Sequence, residues 1–129
     1  SSKGKQTKPK KPNRGERMRI IENWQYRYIE KCLYTYKDIS QSKLDTEIRM
    51  KQAIDKALEF FKGTCHETMM KEFYFEANTY RKKLTNAGHY RWVCEELLHT
   101  EEPNGYVMRR EIVYRVAMNC YALNLFQLK

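Results

Sequence analysis

Apolar residues recur along this chain at helical rather than alternating spacing. Ile21, Trp24, Tyr28 and Cys32 fall at i, i+3, i+7 and i+11, and Ile20, Ile29 and Tyr36 widen the stripe. The spacing predicts a helix over 17–37 that stops near Asp38-Ile39-Ser40. Leu44, Ile48, Ala53, Ile54, Ala57, Leu58 and Phe61 predict a second helix, with Lys62 in its last turn and Gly63 as a left-handed cap. Thr64-Cys65-His66-Glu67 matches a capping box, in which the hydroxyl and the carboxylate each satisfy an orphan N–H. The third helix that it opens carries Met69, Met70, Phe73, Tyr74 and Ala77 on one face. The stretch 78–88 prolongs that helix, forms its own turn or loops out, and Asn86-Ala87-Gly88 reads as a break.

Two more apolar segments follow. His89 to His99 holds Trp92, Val93, Leu97 and Leu98 on one side, which predicts about three helical turns. The run 100–105 interrupts it. A long last helix then begins with Gly105, Met108, Ile112, Val116 and Ala117 and is extended by Tyr121, Leu123, Leu125 and Phe126. Pro103 is tolerated only in a first turn or before one, and Glu101 and Glu102 suit a helix N-terminus. Alternating β-type runs are missing, so the expected fold is all-α, a small helical domain. Leu123, Leu125 and Phe126 are expected to pack on the N-terminal helices, with a homodimer as the other way to cover them.

Charge changes the picture at one end. The formal net charge is +9 over 129 residues, but residues 1–19 hold eight basic side chains against Glu16 alone. Residues 20–129 hold 17 basic and 15 acidic side chains and are close to neutral. The chain therefore divides into a basic arm over 1–17, expected to be mobile, an N-terminal helical pair over 18–63 and a helix-turn-helix region over 64–129. No apolar run approaches the roughly 20 residues of a membrane span, and the polar start lacks the apolar core of a secretory signal. A soluble, intracellular protein without a membrane partner is expected.

Candidate chemistry is sparse. Four cysteines at 32, 65, 94 and 120 form no close pair, so buried free thiols are expected and neither metal nor cofactor. The histidines at 66, 89 and 99 have no nucleophile or carboxylate at a recognisable motif spacing, and glycine-rich phosphate loops are missing. The residues argue against an enzyme. Tyrosines interleaved with basic residues, as in Tyr26-Arg27-Tyr28, could stack on unpaired bases, but on helices they are expected to pack.

A short helix, a tight break and a longer helix with basic residues near its start describe a helix-turn-helix, whose second helix enters the major groove. Any α-hairpin gives a similar spacing. The residues themselves go further. Arg91-Trp92-Val93-Cys94-Glu95-Glu96-Leu97 and Tyr106-Val107-Met108-Arg109-Arg110-Glu111-Ile112-Val113-Tyr114-Arg115-Val116-Ala117 resemble the sigma-region-4-like helix-turn-helix of the RinA/ArpU phage transcription activators. Arg19-Ile20-Ile21-Glu22-Asn23 and Tyr36-Lys37-Asp38-Ile39 resemble the N-terminal part of that group.

The resemblance implies a phage or prophage regulator that binds promoter DNA in the bacterial cytoplasm and activates late genes, with host RNA polymerase as a further partner. Where related helices start with Ser, Thr, Lys or Arg, this chain has Glu101, Glu102, Pro103, Asn104 and Gly105. Carboxylates there repel phosphates unless they accept from a cytosine amino group or sit away from the DNA backbone.

The candidate DNA-binding residues follow. Arg109 and Arg110 are placed for bidentate guanine contacts or phosphate clamps, or else form a solvated face with Glu111. Asn104 and Tyr106 stand at the helix start, Asn104 being equally suited to capping. Arg91 is placed to meet a phosphate, and Lys82 and Lys83 to reach flanking DNA. Trp92, Val93, Leu97, Met108 and Ile112 are expected in the core. Two other functions remain open: a small terminase-like subunit that marks DNA for packaging, and a module that docks on RNA polymerase or sigma.

Overall fold

The computed structural model describes residues 21–77 and 85–126. Residues 1–20 with the arm over 1–17 and with Arg19 and Ile20, residues 78–84 of the ambiguous run with Lys82 and Lys83, and residues 127–129 lie outside them. The described residues form six helices and no strand, so the protein is all-α. They are α1 (Asn23–Tyr34), α2 (Tyr36–Ile39), α3 (Asp45–Phe60), α4 (Cys65–Thr68), α5 (Asn86–Trp92) and α6 (Glu102–Ala122). Two continue without a break into π-helical stretches, α4 through Met69–Tyr74 and α5 through Val93–Leu97.

The long helix α6 is the spine. It packs chiefly along α3 and next along α1. Ala53 and Ala57 on α3 and Val113, Ala117 and Cys120 on α6 are all buried, and these small side chains let the two backbones approach. Asn119 Nδ2 donates to the Ala53 carbonyl at 3.0 Å across this seam, which fixes the register. Ile29, Leu33, Met69, Met70, Phe73 and Tyr74 close the core from the α1 and α4 side.

The ends of the elements explain where the chain turns. Gly63 has φ +81°, the left-handed conformation expected of it. Thr64 caps α4, but its Oγ1 accepts from the His66 N–H and Glu67 Oε1 accepts from the Gly63 N–H, one residue out of register with the predicted box. Pro103 sits in the first turn of α6.

Several expectations are corrected. The first predicted helix is two, because Thr35 leaves helical geometry (φ −109°, ψ 24°) and its hydroxyl bonds back to the Lys31 carbonyl. Trp24 is 57% exposed rather than core, with its ring edge-on to Phe126 at 6.1 Å. Leu44 and Ile48 are exposed too. Asn86-Ala87-Gly88 does not break a helix but starts one: Thr85 Oγ1 accepts from the Gly88 N–H at 2.9 Å as N-cap. Val93 and Ile112 are in the core and Trp92 and Met108 are half-buried against it, but Leu97 is exposed, because the π-helical turn moves the buried face of α5 onto His89, Tyr90, Val93 and Cys94. Cys65 is exposed, whereas Cys32, Cys94 and Cys120 are buried thiols. Phe126 is buried, with Leu123 and Leu125 half-buried against the core.

Candidate functional site

The α5–α6 pair is built around one close approach. After Leu97 the chain turns through Leu98 to Glu101, with His99 at φ +51° and the Thr100 N–H bonded to the Cys94 carbonyl at 2.9 Å. Gly105 then lies so near α5 that a Cβ there would collide with the Tyr90 hydroxyl and Cys94 Sγ. Tyr90 donates its phenol proton to the Glu102 carbonyl, in the first turn of α6. A short helix is thereby locked across the start of a 21-residue one.

Arg109 is not on the outer face. Its side chain is 14% exposed and reaches inward, where Nη2 donates to Glu30 Oε2 at 3.1 Å and to the Tyr34 hydroxyl at 3.2 Å. Nε donates to the Tyr74 hydroxyl at 3.2 Å, and Tyr74 donates in turn to Glu30 at 2.6 Å. The rings of Phe73, Tyr74, Tyr90 and Tyr106 surround the guanidinium at 4.8 to 5.7 Å from their centroids. Burial works against charge on Arg109, and Tyr74, Tyr34 and Glu30 outweigh it, so its pKa is raised. Burial first, and Glu30 second, push the Tyr74 phenol well above its ordinary value. This corrects the expectation of a base contact. Three donated bonds and four rings hold Arg109 as a tie between α1, the π-helical extension of α4, and α6.

The remaining candidates divide. Arg110 is half-buried and, among the described residues, has no ion-pair or hydrogen-bond partner. Its charge acts on Tyr26, whose phenol is nevertheless raised to about 12 by burial first and Glu30 second. Tyr106 and Val107 are 55% and 42% exposed on the neighbouring turn. Asn104 is exposed within the first turn, where Nδ2 donates to Thr100 Oγ1 at 3.1 Å and so clips the break instead of capping the helix. Arg91 is exposed but bonded through Nε to Glu102 at 3.1 Å. Glu111 pairs with neither arginine; it lies 2.7 Å from His66 Nε2. Sequence reasoning missed that pair, since 45 residues separate its members.

The surroundings of the break are acidic. Glu95, Glu96 and Glu101 are exposed there, and Arg91 offsets Glu102. Among the described residues no group of three or more His, Cys, Asp or Glu side chains is arranged to hold a metal ion. No described helix is long and apolar enough to cross a membrane. Compared with models of known protein families, with curated proteins and with solved structures, the chain matches none.

Proposed function

We propose that the chain is a sequence-specific DNA-binding transcription regulator that docks the α5–α6 pair on duplex DNA, with the first turns of α6 in the major groove. The observation that carries this reading is the close approach at Gly105. It braces α6 against α5 and leaves Tyr106 and Val107 exposed on the same turns, with Arg110 half-buried beside them and without an ion-pair partner among the described residues. Arg110 is the residue suited to a guanine edge or a phosphate. The basic arm supplies contacts that depend on charge and salt rather than on sequence. In keeping with the RinA/ArpU resemblance, the regulated genes are late phage genes and the cellular setting is the bacterial cytoplasm.

Selection from a pool of random duplexes tests the reading, followed by titration of the selected and a scrambled duplex at several salt concentrations. The selected duplex is expected to bind at least about 10³-fold more tightly than the scrambled one. A chain beginning at residue 18 should keep that preference, while its plot of log affinity against log salt flattens by about 0.9 for each phosphate that the arm neutralises. No enrichment, or equal affinity for both duplexes, rejects DNA recognition by the body. The carboxylates Glu95, Glu96 and Glu101 around the break favour a second reading, in which the module docks on RNA polymerase or a sigma factor and touches DNA little. Loss of all DNA binding with the arm would move that reading to first place.

A further inference from the structure

Beyond the Gly105 approach, α6 turns a second feature outward. Val107, Glu111, Tyr114 and Met118 follow one another at i, i+4, i+7 and i+11, a single stripe roughly 16 Å long. Met118 is 50% exposed, Val107 is exposed, and Phe60 at the end of α3 is 57% exposed. Phe60, Phe61, His66, Arg115 and the stripe from Glu111 to Met118 frame a groove of about 420 Å³. Val107 and Met118 expose apolar side chains at the two ends of the stripe, with Phe60 beside Met118 across the groove, and exposed apolar surface of this kind marks an interface.

The charges on the stripe and beside it say what fits. Arg115 lies over the Phe60 ring at 3.7 Å from its centroid, and among the described residues it meets no carboxylate. Glu111 is one turn away on the same helix, yet it pairs with His66, and Arg115 donates through Nη1 to the Met118 sulfur, at 3.9 Å. Taken in the opposite direction, the order apolar, acid, aromatic, base, apolar complements itself. An antiparallel copy centred between Ile112 and Val113 sets Met118 opposite the Val107 of the second copy. The same superposition sets Glu111 beside the Arg115 of the second copy, twice over by symmetry.

We propose that the chain pairs with a second copy of itself through the outer stripe of α6, antiparallel and about a two-fold axis. Such an interface is isologous: it uses the same patch on both copies and closes at the dimer. Glu111, Arg115 and Met118 lie beyond the turns that carry Tyr106 and Arg110, but Val107 belongs to both surfaces, so a second copy and a duplex compete for it and the pairing is tested without DNA.

Sedimentation over a range of protein concentrations, without DNA, tests it on four variants beside the wild type: Glu111→Arg, Arg115→Glu, the double reversal and Met118→Lys. Circular dichroism checks that each is folded, which the exposure of Glu111 and Met118 favours. The wild type is expected to reach a dimer and stop there. Each single reversal places like charges together at two symmetric sites and should weaken the dimer by at least about ten-fold. The double reversal should return it to within a few-fold of the wild type, although Glu111 no longer serves His66. Met118→Lys should dissociate it without lowering the melting temperature of the monomer. A wild type that stays monomeric, one that grows past the dimer, or a double reversal as weak as the singles would overturn the proposal.

Discussion

The inner and outer sides of α6 carry similar residues under different rules, and Arg109 and Arg110 show the difference at its smallest separation. Both are cationic, adjacent in sequence and on the same helix. A rotation of about 100° between them sends one into a cage of four rings and a carboxylate and leaves the other half-buried beside Tyr26 with no carboxylate among the described residues. On the inner side Arg109 Nε and Nη2, Glu30 Oε2 and the Tyr34 and Tyr74 hydroxyls bond one another, so Glu30, Tyr34 and Tyr74 are intelligible only together with Arg109. On the outer side the same residue types stand with few partners. Among the described residues Arg110 and Arg115 meet no carboxylate, and Val107 and Met118 stay exposed. An arginine's role here is decided by its position around the helix rather than by its distance from the break.

Removing Arg109 should do the most damage. Taking one partner from a buried ion pair leaves the other charge uncompensated, so Arg109→Ala is expected to lose about 3–5 kcal/mol of stability in chemical denaturation. Glu30→Ala should lose a comparable amount, and the double variant less than the two losses added, since each single change already breaks the same tie. A loss from Arg109→Ala no larger than that of an exposed residue would erase the distinction between the two sides. Gly105→Ala comes next. The new methyl meets Tyr90 and Cys94, both buried, and the strain should cost about 1–3 kcal/mol, read from the same denaturation curves.

Alkaline pH should act more gently on the inner side. Burial raises Tyr26 and Tyr28 to about 12 and Tyr74 well above its ordinary value, so these phenols hold their protons more firmly folded than unfolded. Their contribution is complete below about pH 10, the unfolded value, and drains away as pH rises from there towards 12 and beyond. Urea unfolding at about pH 8, 10 and 11 should show a flat stability followed by a decline. An unchanged midpoint at the highest pH would mean that the phenols are not sheltered.

Much of the architecture is legible in the residues, and the misses have physical causes. The helical periodicity, the Gly63 cap, the Thr64 start and Pro103 in a first turn are local signals, and each reappears at its expected place. The core face of α5 is not legible, because the wider turn over Val93–Leu97 displaces a 3.6-residue reading by part of a turn. The start of α5 does leave a trace: Thr85 is a good N-cap, and Gly88 supplies the N–H that it accepts, but a glycine two residues after Asn86 points locally to a break. Arg109 leaves one as well. It lies four residues after Gly105, three before Ile112 and seven before Val116, on the very stripe that marks the core. Its charge argues for the surface, and only the remote Glu30, Tyr34 and Tyr74 reverse that expectation. No local pattern could bring Glu30 and Arg109 together across 79 positions.

Titration of Arg110→Ala and the wild type on the selected and the scrambled duplex tests most directly whether the outer side of the first turns of α6 reads DNA while the inner side only holds it in place. The variant should lose no more than about 1 kcal/mol of folding stability, since the half-buried Arg110 has no hydrogen bond or ion pair to give up among the described residues. Its affinity for the selected duplex should fall by about 1–3 kcal/mol, with little change on the scrambled one. If Arg110→Ala binds both duplexes as the wild type does, α6 is not the reading helix.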